Sequence, residues 1–64
     1  MKRFDNKYAV IRVDAEGNET FELFHLLRQA KQWFNMTASS MLYKEIYLTT
    51  YTKTRGFGQI IRRY

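Results

Sequence analysis

Two four-residue turn signals, residues 14–17 (D-A-E-G) and residues 53–56 (K-T-R-G), set tight limits on how this chain can fold. Aspartate at the first position can accept hydrogen bonds from the turn backbone, and glycine at the last position tolerates a positive φ. Residues 8–13, Y-A-V-I-R-V, are mostly apolar and β-branched, and residues 19–24 can fold back beside them. The sequence therefore predicts one β-hairpin near each end of the chain.

The first turn also determines how the strands of its hairpin pair. Side chains opposite each other in an antiparallel pair lie on the same face of the sheet. The predicted pairs are Ile11 with Phe21 and Ala9 with Leu23 on an apolar face, and Arg12 with Thr20 and Val10 with Glu22 on a mixed face. One apolar and one mixed face is the pattern of a half-buried antiparallel pair.

A helix is predicted next, over residues 25–35. Its apolar side chains recur at helical spacing, with cationic and amide side chains on the opposite side. The apolar set is Leu26, Leu27, Ala30, Trp33 and Phe34. Because His25 is a poor N-cap residue, a competing interpretation stays open, in which a longer helix capped by Thr20 absorbs residues 21–24.

Residues 36–40 are small and polar, and we predict a loop there. Seven of the nine residues from 46 to 54 are β-branched or aromatic, which predicts a third strand. Residues 59–63 would return as the fourth strand. The competing interpretation is a second helix capped by Thr37, which would give a helix-turn-helix. The threonine-rich composition favours the strand.

These elements predict an α+β fold of ββαββ layout in a single domain, residues 1–64. One helix would lie across one face of a small antiparallel sheet made of two hairpins. Phe21, Trp33 and Phe34 are expected to be buried between the helix and the sheet.

The short chain also limits its own stability. It has 64 residues, and a chain of this size buries only about 60% of the surface that its unfolded form exposes. It has no Cys, and His25 is its only His, so we expect no disulfide, no metal site and no other cofactor. The remaining sources of stability are its 1 Trp, 5 Tyr and 5 Phe and self-association, and we predict a homodimer.

The formal net charge is +5. Carboxylates concentrate in residues 14–22 and cations in residues 53–63, so a positive face is expected that attracts nucleic acid or an acidic protein surface. Lys2 and Arg3 could begin a signal peptide, but polar residues follow them instead of an apolar run. No stretch approaches the ~20 apolar residues of a membrane span. We expect a cytoplasmic protein without a membrane partner.

The second hairpin is the candidate binding surface. Residues 46–64 mix aromatic side chains, which can stack on bases, with Lys and Arg, which can neutralise phosphates. The turn places Tyr51 opposite Gln59, Thr49 opposite Ile61 and Tyr47 opposite Arg63 on an exposed platform, with Ile46, Leu48 and Ile60 facing the helix. The residues predicted to bind nucleic acid or a partner are Tyr47, Tyr51, Lys53, Arg55, Phe57, Arg62 and Arg63.

Residues 55–58, R-G-F-G, resemble the opening of the RNP1 strand of RNA-recognition-motif domains, K/R-G-F/Y-G/A-F-V-x-F/Y. Ile60 also suits that pattern, but Gln59 and Arg62 replace its stacking aromatics. The likeness of residues 46–48, I-Y-L, to RNP2 departs from the family too, because a helix separates the two motifs there and only six residues separate them here. Turn glycines explain the segment better.

A second resemblance concerns the layout of the whole chain. Gly17-Asn18-Glu19 is followed by L-x-x-A-x-x-W from Leu27 to Trp33, and this is similar to many short phage- and mobile-element-encoded proteins. In those proteins a hairpin leads into a helix and a final hairpin follows. The resemblance implies a protein that binds nucleic acid or blocks a host enzyme.

The sequence therefore predicts a small non-enzymatic binding module. His25 suits a strand-to-helix junction, the carboxylates of residues 14–22 suit a solvated hairpin, and a chain this short rarely encloses a site that excludes water. The first hypothesis is nucleic-acid binding through the C-terminal hairpin. The second is a protein that inhibits or redirects a host protein by docking into an acidic groove. The alternative without a binding function is that the cross-strand Tyr and Arg pairs only stabilise an exposed sheet.

Overall fold

The computed structural model describes residues 5–64, in which one antiparallel sheet packs against one helix. The elements are β1 (Tyr8–Asp14), β2 (Glu19–Phe24), α1 (Leu27–Ser40), β3 (Tyr43–Thr52) and β4 (Gly56–Arg63). The strand order is β2-β1-β3-β4, so β2 and β4 are the edge strands. The predicted α+β fold of ββαββ layout is confirmed. Lys2 and Arg3, considered above as the start of a signal peptide, lie outside the described residues.

The β1–β2 hairpin has the predicted register in every pair. Gly17 closes its turn with a φ of 89°, which glycine adopts without strain. The Asp14 carboxylate accepts hydrogen bonds from the backbone N–H groups of Glu16 and Asn18, each at 2.9 Å. These bonds favour the ionised carboxylate, and the backbone bond from Asn18 contributes most to lowering the pKa of Asp14 below its ordinary value.

Helix α1 continues to Ser40, so the loop predicted over residues 36–40 is wrong. The polar side chains in this segment bond back along the helix. The Thr37 hydroxyl donates to the Trp33 carbonyl at 2.8 Å, and the Ser40 hydroxyl donates to the Thr37 carbonyl at 2.6 Å. The helix ends at Met41, which takes the left-handed conformation with a φ of 59°.

The helix begins at Leu27 rather than at residue 25, and no side chain caps it at Leu26, in keeping with the poor cap seen in the sequence. Residues 21–24 belong to β2 and residues 43–52 belong to β3. Both alternatives with longer or additional helices, capped by Thr20 or by Thr37, are therefore wrong. Alternation of β-branched and aromatic residues outweighs the helical spacing in both segments.

The main hydrophobic core lies between α1 and the two central strands. Its buried members are Val10, Ala30, Phe34, Ile46 and Leu48. Trp33 is half-buried and packs against this core, with its ring centroid 6.3 Å from that of Phe24. The predicted burial of Phe34 is confirmed, and Trp33 is buried only in part.

Phe21 lies on the other side of the sheet and is 52% exposed, so its predicted burial under the helix is wrong. The helix instead covers the mixed face of the hairpin, which carries Val10 and Arg12. Aromatic rings make this arrangement possible, because the Arg12 guanidinium carbon lies 5.7 Å from the ring centroids of both Trp33 and Tyr43. Arginine can pack its stem against apolar surface while its charged end rests on rings.

The face of the sheet away from α1, here called the helix-free face, carries Ala9, Ile11 and Phe21. Ala9 and Thr49 are buried in the middle of this face although no helix covers them. Phe21 on one edge strand contacts Phe57 on the other edge strand, with ring centroids 5.2 Å apart. On a flat sheet three strand spacings would separate these edges by about 14 Å. The sheet therefore curls, and the two rings lean over the small side chains in its middle.

The second hairpin follows the prediction only at its two ends. Gly56 has the predicted left-handed conformation, with a φ of 72°, and Tyr47 pairs with Arg63. Two irregularities in the β3–β4 ladder shift the register between these points. The observed pairs are Thr49 with Ile60 and Tyr51 with Phe57, in place of the predicted partners Ile61 and Gln59.

The shifted register also moves a predicted core residue. Ile46 and Leu48 are buried against the helix, as expected. Ile60, in contrast, pairs with Thr49 on the helix-free face and is 50% exposed, so its predicted place beneath the helix is wrong. A bulge adds a residue to one strand only, and an added residue turns the following side chains to the opposite face.

Gly58 lies at one of these irregularities, and we expect it to be intolerant of a side chain. A Cβ at this position would overlap the Thr50 hydroxyl, which accepts the Gln59 backbone N–H at 2.9 Å. Gly58→Ala should therefore lower the free energy of unfolding by about 1–3 kcal/mol in urea titrations. In a Thr50→Ala background the same change should cost much less, because the obstructing group is gone. Equal costs in both backgrounds would contradict the contact.

Candidate nucleic-acid interface

The structure brings together most, but not all, of the residues predicted to bind. Four lie on the helix-free face, namely Tyr47, Tyr51, Phe57 and Arg63. Lys53 and Arg55 are exposed in the turn between β3 and β4. Arg62 points to the opposite side of the sheet, as its contacts with the helix show. The helix-free face and the adjoining turn therefore form the candidate interface.

Three rings form an aromatic cluster on the helix-free face. The Phe57 ring centroid lies 5.7 Å from that of Tyr51 in a tilted arrangement and 5.2 Å from that of Phe21 in an edge-to-face arrangement. Phe21 and Phe57 are exposed and Tyr51 is half-buried. Edge-to-face packing holds two rings in place while leaving ring surface open to a ligand. We call Phe21, Tyr51 and Phe57 the ring cluster.

Phe21 was missed as a site residue, although the sequence carried a signal for it. The correct hairpin register already placed it beside Ile11, on the face opposite Val10. The missing information was the curl of the sheet, which brings the two edge strands together over one face. Ala9 and Thr49, which pair in the middle of this face, are small and buried.

A groove of about 340 Å³ adjoins the ring cluster. Its walls are residues 5–7 on one side and residues 51–54 on the other. Backbone hydrogen bonds hold the first wall in place, since Lys7 donates to the Phe24 carbonyl at 2.8 Å and accepts from the Tyr51 N–H at 2.7 Å. Lys7 and Lys53 line the groove together with one carboxylate, Asp5. No pattern in the sequence predicts that Lys7 lies beside the second hairpin.

The far end of the helix-free face has a different electrostatic character. The Arg63 guanidinium carbon lies 5.8 Å from the centroid of the Tyr47 ring, as the predicted cross-strand pair requires. The Tyr47 hydroxyl donates a hydrogen bond to the Glu45 carboxylate, which raises the pKa of Tyr47 above its ordinary value, and partial burial adds to the effect. The negative charge of Glu19 acts in the same direction. Carboxylates therefore offset the positive charge of Arg63 here.

Arg62 belongs to another surface, and its predicted place on the platform is wrong. Its guanidinium carbon lies 5.9 Å from the Phe34 ring centroid, and it donates to the Asn35 side-chain carbonyl at 3.4 Å. The register explains this, because Arg62 pairs with Leu48, whose side chain faces the helix. The cations available beside the ring cluster are thus those of the turn and the groove.

Within residues 5–64 no helix is long and apolar enough to cross a membrane. The same part of the chain contains no group of three or more His, Asp or Glu side chains arranged to hold a metal ion. Comparison of the chain with protein-family models, with curated proteins and with solved structures returned no match.

Proposed function

We propose that the protein binds single-stranded nucleic acid, with bases stacked on the ring cluster and phosphates held by the β3–β4 turn and the groove. The observation that supports this most directly is that Tyr51 of the ring cluster lines the same groove as Lys7 and Lys53. Exposed Arg55 lies two residues before Phe57 in the chain. Proteins that bind single strands without base preference combine a cationic track with aromatic stacking surfaces. This chain has both on one face.

The geometry favours a single strand over a duplex. Stacking needs bases with an open face, which a duplex offers only at its ends. The rings of the cluster lie on a curled face rather than on a protruding helix. A duplex reader would instead need an element that enters a groove and reaches base edges. The expected contacts are therefore sequence-tolerant.

The distribution of charge on the helix-free face favours phosphate binding at one end of that face. Lys53 and Arg55 are exposed in the turn, and Lys7 lines the adjoining groove. At the other end Glu19 and Glu45 surround Tyr47 and offset the charge of Arg63. A phosphate backbone would therefore run across the turn end of the sheet, where cations outnumber carboxylates.

The proposal is tested by titrating a labelled thymidine oligonucleotide against the protein at several salt concentrations. Affinity should fall by about 0.7 log units per log unit of salt for each phosphate engaged. Lys53→Gln with Arg55→Gln should flatten this slope, because a protein that makes fewer phosphate contacts releases fewer counterions when it binds. Arg62→Gln removes one positive charge from the helix side and should leave the slope nearly unchanged. Absence of binding at low salt, where electrostatic attraction is strongest, would refute the proposal.

We also propose that the protein is a homodimer joined through β4. This edge strand leaves one row of backbone groups without a partner strand, and Phe57, Ile60 and Ile61 are exposed along it. Antiparallel pairing of two β4 strands would join two helix-free faces into one binding surface. Sedimentation is expected to show a dimer at micromolar concentration, and Ile61→Lys should shift it to monomer. A monomer at all concentrations in the unchanged protein would contradict this.

The second candidate function is binding to a host protein, and it applies if the protein does not bind nucleic acid. The cations of the turn would then contact the acidic groove of a partner protein, which they would help to inhibit or redirect. Charge complementarity of that kind acts mainly on association rate and specificity. In either case the proposed role is non-enzymatic and cytoplasmic, as expected from the short chain without cysteine.

A further inference from the structure

A second binding site is indicated on the helix side of the molecule, remote from the ring cluster. A cavity of about 230 Å³ lies between α1 and the start of β3. Its lining combines one cation, two large rings and an apolar rim. The residues that matter for its chemistry are Arg12, Trp33, Met36, Leu42 and Tyr43.

Two hydrogen-bond donors in this lining have no acceptor. Arg12 Nε and Trp33 Nε1 are both buried, and neither has a hydrogen-bond partner among the described residues. The Thr37 hydroxyl, which also lines the cavity, already donates to the helix backbone. Buried polar groups are normally satisfied, and an unpaired donor costs about 1–3 kcal/mol. Both residues line the cavity, so an acceptor that enters it from outside could pair with these donors after a small movement of the side chains.

The rings hold the cation in position for such a ligand. The Arg12 guanidinium carbon lies 5.7 Å from the centroids of both Trp33 and Tyr43, which restricts the side chain to one region of the cavity. A guanidinium presents several N–H groups in a fixed planar arrangement that matches a carboxylate. Because the site has already ordered its donors, little conformational entropy is lost when a ligand binds.

The apolar rim of the cavity indicates which groups a ligand should carry beside its carboxylate. Met36 is 58% exposed and Leu42 is 69% exposed, and both line the cavity. Met41, between them on the chain's path into β3, is exposed as well. Flexible methionine side chains adapt to an apolar partner, and exposed apolar side chains that lie close together mark protein-binding sites. A phosphate backbone would offer nothing to this rim.

We propose that this cavity binds an acidic side chain of a partner protein, flanked in that partner by apolar residues. The carboxylate would accept hydrogen bonds from Arg12 and from the Trp33 indole N–H. The neighbouring apolar side chains would cover Met36 and Leu42. A single cation matches a single carboxylate, whereas a polyanion needs several cations in a row. The site is thus distinct in chemistry and in position from the proposed nucleic-acid surface.

The test uses the capped tripeptide acetyl-Leu-Glu-Leu-amide and its matched control acetyl-Leu-Gln-Leu-amide. Trp33 is the only Trp in the chain, so its indole N–H gives a single resonance that reports on the cavity. The glutamate peptide should shift this resonance to saturation, and the glutamine peptide should bind at least about tenfold more weakly, because it lacks the charged acceptor. Equal affinities, or no shift at all, would overturn the proposal.

Variants locate the contact. Arg12→Gln should reduce binding of the glutamate peptide to that of the glutamine peptide, while Lys31→Gln, on the exposed side of the same helix, should have no effect. Should Arg12→Gln disturb the fold, Leu42→Ser removes an exposed apolar group and should weaken binding of the glutamate peptide. The thymidine oligonucleotide should leave the Trp33 resonance in place. Displacement of the peptide by the oligonucleotide would assign the cavity to polyanions instead and refute the acidic-peptide assignment.

Discussion

Phe34→Ala is expected to lower the free energy of unfolding by about 3–5 kcal/mol. Phe34 is only 4% exposed and lies in the core with Val10, Ile46 and Leu48. Truncation removes the apolar contact of a whole ring and leaves a cavity that a small domain cannot close. Since the total stability of such a domain is near the lower end of about 5–15 kcal/mol, the variant should be partly unfolded at room temperature. Urea denaturation followed by circular dichroism measures the loss.

A matched control is available on the same helix. Met36 is 58% exposed, so Met36→Ala should change the free energy of unfolding by no more than about 0.5 kcal/mol. Trp33→Ala should fall between the two, because Trp33 is half-buried and packs against the core, whereas Phe34 belongs to the buried core. If Phe34→Ala and Met36→Ala had equal effects, the orientation of α1 over the sheet would be wrong.

Local signals made the first hairpin predictable from the sequence. The Asp14 carboxylate bonds the turn backbone and Gly17 takes a positive φ, so turn chemistry and register are set by residues close together in the chain. The alternation of apolar and polar residues along β1 and β2 agreed with the register that this turn sets. Agreement between local turn chemistry and strand pattern is what made the prediction of β2 accurate to its ends.

The end of the helix could not be predicted in the same way. Thr37 and Ser40 have hydroxyls that compete for backbone hydrogen bonds, and such residues usually indicate a loop. Here both hydroxyls donate to carbonyls within the helix, and the helix stops only at Met41 in a left-handed conformation. Burial of Thr37 in the folded protein outweighs this local preference for a loop.

The misplacement of Phe21 has a different cause, because it concerns which face of the sheet the helix covers, whereas Ile60 was misplaced by the register shift in β4. The pattern marked the Ile11 and Phe21 face as the apolar one, yet the helix lies on the face of Arg12. The sequence could not show that Trp33 and Tyr43 would cover a cation, or that the sheet would curl over its other face. Both are long-range contacts between elements.

These faces have a direct consequence for the candidate interface. The sequence predicted that Tyr47, Tyr51 and Arg63 share one face of the sheet, and they do so in the structure although the register between them differs from the predicted one. It missed the edge-strand ring of Phe21, which only the curl brings into contact. A surface made of side chains from both edge strands forms only when the whole sheet has folded. It therefore cannot be predicted from any short segment of the sequence.

Removing one ring from the cluster is expected to weaken single-strand binding by about 1–3 kcal/mol, a factor of roughly 5–150, because each stacked base contributes about that much. Tyr51→Ala and Phe57→Leu test this while keeping the charge of the protein unchanged. The salt dependence of affinity should not change, since stacking releases no counterions. Fluorescence titration at fixed salt gives the loss, and titration at several salt concentrations gives the slope.

Tyr64→Ala is the matched control for these ring variants. Tyr64 is exposed, and its backbone N–H donates to the Ile46 carbonyl at 2.9 Å. The side chain of Ile46 faces the helix. Its loss should leave affinity for the oligonucleotide nearly unchanged. If Tyr51→Ala and Phe57→Leu also left affinity unchanged while the turn variants still flattened the salt slope, binding would be purely electrostatic. The ring cluster would then serve only to cover Ala9 and Thr49, and the stacking part of the proposal would fail.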